Sequence, residues 1–156
     1  MPHYSLQPFN VYDAIAVASW LLDADDVALA TGERRYPVEP ADVIVWSHEA
    51  SRAYLLTCDG EPAGYAELVE DEADGDLDID HVVLAPERRH DETGCQLLEL
   101  LTSEARRGFP YDAVWLRVHR ENIRQIDHAA KVGFVESPEV SGPKFIWHKK
   151  HYGNHS

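Results

Sequence analysis

The residues whose types and spacing carry the most chemistry lie in one run, VVLAPERRHDETGCQLL, at positions 82–98. An apolar stretch meets a proline, two arginines follow, and Thr93 with Gln96 has capping-box spacing ahead of Leu97, Leu98 and Leu101. A strand that hands over to a helix N-terminus presents unpaired amides and the positive end of the helix dipole, a site suited to phosphate. Arg88 and Arg89 add charge and the forked donors that grip such an anion. The same pattern also fits a plain strand-to-helix connection with solvated arginines.

Other constellations offer less. The segment EDEADGDLDID, positions 70–80, holds seven acids, but the twelfth position counted from Asp71 is Val82, where an EF-hand loop requires glutamate. A solvated hairpin turn is the better reading. His148, His151 and His155 would ligate a metal only on a fixed helical tail, and Gly153 with Asn154 favours fraying, so no metal is expected. Cys58 and Cys95 are the only cysteines and form no CxxC pair, which fits a reducing compartment and excludes a cysteine zinc site. No GxSxG elbow, Walker loop or HExxH sequence is present, so hydrolase, NTPase and metalloprotease chemistry has no foothold.

The elements that must position the run at 82–98 can be read from periodicity and turn chemistry. Asn10, with Asp13 three residues on, starts a helix expected to end near 23–26, and Pro40 opens a shorter one over 41–50, with loop between them at 31–37. Asp59-Gly60 joins strands at 54–58 and 63–69 into a hairpin, since both turn positions need positive φ. Residues 77–85 read as a strand passing from half-exposed to buried. A helix is expected over 94–107, a strand over 113–118, a helix capped by Asn122 and stopped by Gly133, and a last strand over 144–149. The order is a helical pair, an antiparallel meander, then strand–helix–strand–helix–strand. That predicts an α+β fold with a mixed central sheet and helices on both faces, in one domain over 1–150 with a tail at 151–156.

With these elements in place, the chain resembles the GNAT superfamily of acetyl-CoA-dependent N-acetyltransferases. The family's Arg/Gln-x-x-Gly-x-Gly/Ala loop is matched in spacing by Arg89, Glu92 and Gly94, with Glu92 where the family has glycine. Its later pattern is matched by Asn122, Gly133 and Phe134, with Ala129 where the family has tyrosine. The resemblance implies acetyl-CoA as co-substrate. The loop of Arg88, Arg89, His90, Asp91, Glu92, Thr93, Gly94 and Cys95 would hold the pyrophosphate, with Asn122 beside it, and the backbone of Val82, Val83 and Leu84 would pair with pantetheine. It also implies a carboxylate base near the motif strand, here Asp78, with Asp80 and Glu67 in reserve. His128 or Cys95 would stand in for the missing tyrosine as acid. Asp91 and Glu92 oppose the phosphate: a like charge about 6 Å away costs roughly 0.7 kcal/mol in water and near 3 kcal/mol at an effective dielectric of 20. A chain that has lost cofactor binding and kept the fold as a binding or regulatory module is the competing implication.

Charge then separates the partners. The 156 residues carry a formal net charge of −14. Positions 1–80 hold 18 acids and 3 bases, net −15, whereas 81–156 hold 10 acids and 11 bases, net +1. Such a chain repels nucleic acid and anionic membranes. Because the resemblance sets the acceptor against the N-terminal elements, it implies a cationic amine. Positions 1–10 lack a signal peptide's basic start and apolar core, so a cytoplasmic location is expected. Phe145 and Trp147 are candidates for a homodimer contact or for the core.

Overall fold

A computed structural model describes residues 1–152. Seven strands form one sheet in the order β1-β2-β3-β4-β5-β7-β6: β1 Tyr4–Pro8, β2 Arg52–Cys58, β3 Glu61–Asp71, β4 Asp76–Leu84, β5 Ala113–His119, β6 Val135–Glu136 and β7 Phe145–His151. All neighbours are antiparallel except β4 and β5. The helices are α1 Ala14–Ser19, α2 Ala24–Thr31, α3 Pro40–Glu49, α4 Thr93–Gly108 and α5 Ile123–Lys131. This is the expected α+β architecture, with a helical layer on each face. One core packs α4 and α5 on the sheet through Leu97, Leu98, Leu101 and Leu116, and a second packs α1 and α3 through Val17, Val43, Leu55 and Tyr65.

The hairpin forms as the turn chemistry requires, with Asp59 at φ 52° and Gly60 at φ 85°. Helix α4 follows its apolar stripe: Leu97, Leu98, Leu101 and Ala105 are fully buried. Truncating Leu101 to alanine there is worth about 2–5 kcal/mol. Asn122 caps α5 by accepting the Gln125 N–H at 3.2 Å, and Gly133 leaves the helix at φ 95°.

The N-terminal segment differs from expectation. A strand, β1, precedes Asn10 and pairs with β2. The single helix expected from Asn10 is two: Asn10 caps a 3-10 turn that leads into α1, and Asp23 accepts the Asp26 N–H at 2.8 Å to start α2. The acids at 23–26 are therefore a helix start, where they suit the dipole, and the N-terminal helical pair is a trio. The Thr93–Gln96 box does not form. Thr93 lies inside α4, its N–H is taken by the Asp91 carboxylate at 2.8 Å, and its hydroxyl meets the Tyr4 hydroxyl at 3.1 Å. At the C-terminus β7 runs through His151, and the Tyr152 N–H bonds the Asp112 carbonyl. His155, Gly153 and Asn154 lie outside the described residues.

Candidate active site

Strand β4 positions the site by pairing unevenly. Toward β3 it is bonded along its length, but its ladder to β5 holds only Asp78 with Trp115 and Ile79 with Leu116. Beyond that point the two strands part. The apolar run at 82–84 consequently does not become a buried central strand, as expected from sequence: Val82 and Leu84 are only half-buried and face a cleft. The opening coincides with a bulge. Tyr65 pairs with Val83 and Glu67 with Asp80, so His81 and Val82 together oppose Ala66. His81 takes φ 46°, one of two non-glycine residues with positive φ among the described residues.

Three hollows converge on this bulge. The first, about 520 Å³, lies between the parted strands and includes Val82, Val83, Leu84, Arg89, Gly94, Asn122, Arg124, Gln125 and His128. The second, about 1010 Å³, lies among α2, α3 and the bulge, and is lined by Glu33, Arg35, Asp42, Glu49, Trp46 and His81 among others. A smaller one of about 280 Å³ contains both His81 and Val82 and adjoins each of the other two. A fourth hollow continues from the first around the loop, about 840 Å³, past His90, Asp91, Glu92, Cys95, Asp127 and Lys131. Most of the expected cofactor residues are thereby gathered along one continuous groove.

The groove is charge-matched within the chain. Arg89 points inward, bonding the Trp20 carbonyl, Asp26 at 3.1 Å and the Leu84 carbonyl at 3.4 Å. Asp91 covers the first amide of α4 and pairs with Arg88 at 3.4 Å; burial raises its carboxyl, but the bonds from Thr93, and after them Arg88, outweigh this and hold it below the ordinary range. Glu92 is exposed at the groove's edge. The amides of Gly94 and Cys95, next along the first turn, have no helical carbonyl to bond. Arg124 lines both parts of the groove and is the one cation there without an ion pair among the described residues; sequence reasoning missed it. Burial lowers its pKa and Arg89 adds to this, yet a guanidinium stays cationic.

Helix α5 turns a different face to the groove than the family pattern implies. Ala129 is fully buried in the core, while Arg124, Gln125 and His128 face the cleft. The His128 ring lies against Gly94 so closely that a Cβ there would stand 2.2 Å from its Nδ1. Burial, with Arg124 and Lys131 nearby, lowers the His128 pKa and keeps it neutral. Burial likewise raises the Cys95 thiol, whose Sγ sits 3.9 Å from the His128 carbonyl.

Asp78 stands apart from this convergence. It lines a separate hollow of about 490 Å³ with Asp71, Asp74, Asp76, Trp115, Val140 and Trp147. Burial, then Asp76, Asp71 and Asp80, pushes its carboxyl up to about 7, with Arg117 pulling weakly the other way. Glu67 and Asp80 are at the bulge. Glu67 is 1% exposed, its Oε1 lies 2.8 Å from His81 Nδ1 and its Oε2 accepts the Tyr65 hydroxyl. Ligand-type atoms of Glu67, Asp80 and His81 fall within 4.8 Å of one another. His81 was not singled out from sequence, because a bulge leaves no mark on an alternating pattern.

The comparisons with known proteins place this mixed sheet, whose central parallel pair opens onto a helix N-terminus, in a family. The model of the acetyltransferase (GNAT) family matches residues 16–134, and the chain belongs to that family. Among solved structures, AAC(6')-Ib in complex with ribostamycin and coenzyme A superposes with a TM-score of 0.78 at 20% identity, over 96% of this chain and 93% of that one. Spermidine N-acetyltransferase from Vibrio cholerae, in complex with CoA and spermine, gives 0.73 at 13% identity over 94% and 92%. A further AAC(6')-Ib structure holds acetyl-CoA, with a TM-score of 0.77, 20% identity and coverage of 96% and 93%. No curated protein matches the sequence. No helix among the described residues is long and apolar enough to cross a membrane.

Proposed function

We propose that this chain is an N-acetyltransferase that moves the acetyl group of acetyl-CoA directly onto a cationic amine in the cytoplasm. The observation that carries the reading is the meeting of two clefts at the open edge of β4. One offers unpaired strand backbone and a helix N-terminus to an extended anionic cofactor, and the other offers Glu33, Asp42 and Glu49 to an amine. The backbone at 82–84 takes the pantetheine arm. The Gly94 and Cys95 amides, with Arg124, take the pyrophosphate, and the paired Arg88, Arg89 and Asp91, with His90, Glu92, Thr93 and Asn122, shape its groove. Relatives of this fold bind aminoglycosides and spermine, which fits a polyamine, aminosugar or basic peptide as acceptor. Calorimetry with acetyl-CoA tests the reading: micromolar binding is expected, and no heat up to millimolar cofactor overturns it.

A second reading has one observation in its favour. Asp91 already occupies the first amide of α4, and Arg89 is fully engaged within the chain, which is what a module freed from the cofactor would show. In that case the acceptor cleft alone is used, for a basic partner, and Asp91→Asn does not create acetyl-CoA binding.

A further inference from the structure

Within the acetyltransferase reading, on which this assignment rests, we propose that His81 is the base that deprotonates the acceptor amine and that Glu67 is its positioning residue. Of the residues at the bulge, His81 lines both the acceptor cleft and the smaller hollow leading to Val82. Its ring is fixed on several sides. Nδ1 lies 2.8 Å from Glu67 Oε1, Trp46 stacks on the ring at 4.3 Å with 4° between planes, and Glu67 is itself held by Tyr65. Burial raises the Glu67 carboxyl while its bonds with His81 and Tyr65 pull it back; as the carboxylate it can only accept, so Nδ1 then carries the proton and the Nε2 lone pair is left for the cleft. Nε2 has no hydrogen-bond partner among the described residues.

The competing carboxylates are committed elsewhere. Both Glu67 oxygens are bonded and its side chain is 2% exposed, against 21% for His81. Asp80 accepts the His81 backbone N–H at 3.0 Å and lies 3.9 Å from Arg117. Asp78 opens into a different hollow. The left-handed backbone of His81 points the same way, since histidine is held there, at the mouth of two clefts, in a conformation that favours glycine and asparagine.

The step balances. His81 Nε2 takes one proton from the ammonium, and the freed nitrogen lone pair forms the C–N bond to the thioester carbonyl. The C–S bond then breaks, the thiolate receives the second nitrogen proton, and the imidazolium returns its proton to solvent. The groups that set the imidazole's affinity for a proton are Glu67 and Tyr65 from β3, Asp80 from β4, Arg117 from β5, and Glu33, Arg35, Asp42 and Glu49 around the acceptor cleft. Burial lowers its pKa, but the hydrogen bond and charge of Glu67, then Asp80, outweigh this and raise it above the ordinary 6.5. Neutral imidazole is the active form, so kcat/KM rises with pH through that pKa.

The test is acetyl transfer to spermine and to kanamycin, followed by thiol release, beside calorimetry with acetyl-CoA. His81→Asn keeps a residue that tolerates positive φ and removes the base; kcat is expected to fall about 100-fold with acetyl-CoA affinity unchanged. His81→Gly should regain rate when free imidazole is added. Glu67→Gln should move the rising limb of the kcat/KM profile to lower pH, and the His81 imidazole titration followed by NMR should move with it. Transfer by His81→Asn at nearly the unaltered rate, or an imidazole titration indifferent to Glu67→Gln, overturns the assignment and leaves the acetyltransferase reading standing. Failure of the unaltered protein to bind acetyl-CoA or to acetylate either amine overturns both.

Discussion

The two halves of β4 use charge in opposite ways. Beyond the bulge, charges sit beside their opposites: Arg89 with Asp26, Arg88 with Asp91, His81 with Glu67. Before the bulge, Asp78 shares its hollow with Asp71, Asp74 and Asp76, and Arg117 only slightly offsets the rise in its pKa. Attraction in the open half settles where side chains point. In the paired half burial first, and like charge after it, raise the Asp78 carboxyl to about 7. A high density of acids therefore does not mark where β4 opens; the strand parts from β5 in its other half.

The largest effect is expected at Gly94. Gly94→Ala places a methyl where the His128 ring lies, so it should cost about 2 kcal/mol in thermal or denaturant unfolding and lower acetyl-CoA affinity as well. An unchanged melt would show that the open groove is looser than its contacts imply. Next is Arg124→Gln, which removes the unpaired cation of the groove. A roughly 10-fold rise in the acetyl-CoA dissociation constant, by calorimetry, corresponds to one lost charge-assisted hydrogen bond of about 1.4 kcal/mol.

The paired half is tested by pH. Folding raises the Asp78 pKa from 3.8 to about 7, so the folded state holds this proton more tightly than the unfolded chain does. That contribution is whole below about pH 4 and is lost as pH rises toward about 7. Asp78→Asn should therefore gain stability at pH 8, about 1 kcal/mol once discounted for partial exposure, and nothing at pH 4. An Asp78→Asn effect, measured against the unaltered protein, of the same size at pH 4 and pH 8 would remove the contrast between the halves. The smallest effect is at Asp91, where asparagine keeps the cap on Thr93 and removes the charge; acetyl-CoA should bind about 3-fold tighter, and less so in high salt.

What the sequence made legible was local. Asp59-Gly60, the stripe of α4, and Asn122 with Gly133 around α5 each carry their own chemistry within a few residues, and each formed as read. Strand β1 was hidden because it ends on Pro8 and is held by pairing with β2, a contact some fifty residues away in the chain. Helix α2 was hidden because the apolar period from Val11 runs through Leu22, so Asp23 and Asp26 read as the close of that helix although their charge suits the start of the next. The gathering of the groove was legible through the loop motif, but its internal pairing was not, since the partner of Arg89 is Asp26, on another element. His81 needed the bulge, and Arg124 needed the seating of α5 that buries Ala129 and sets Arg124, Gln125 and His128 on the cleft.

Arg89 shows how a signature can keep its letter and change its work. One guanidinium joins the end of α1 at Trp20, the start of α2 at Asp26 and the last residue of β4 at Leu84. A side chain used as a rivet is not free to be a hand. In this protein Arg89 holds up the wall between the two clefts, so losing it would loosen the cleft lined by Asp42 and His81 as much as the groove lined by Val82 and Gly94.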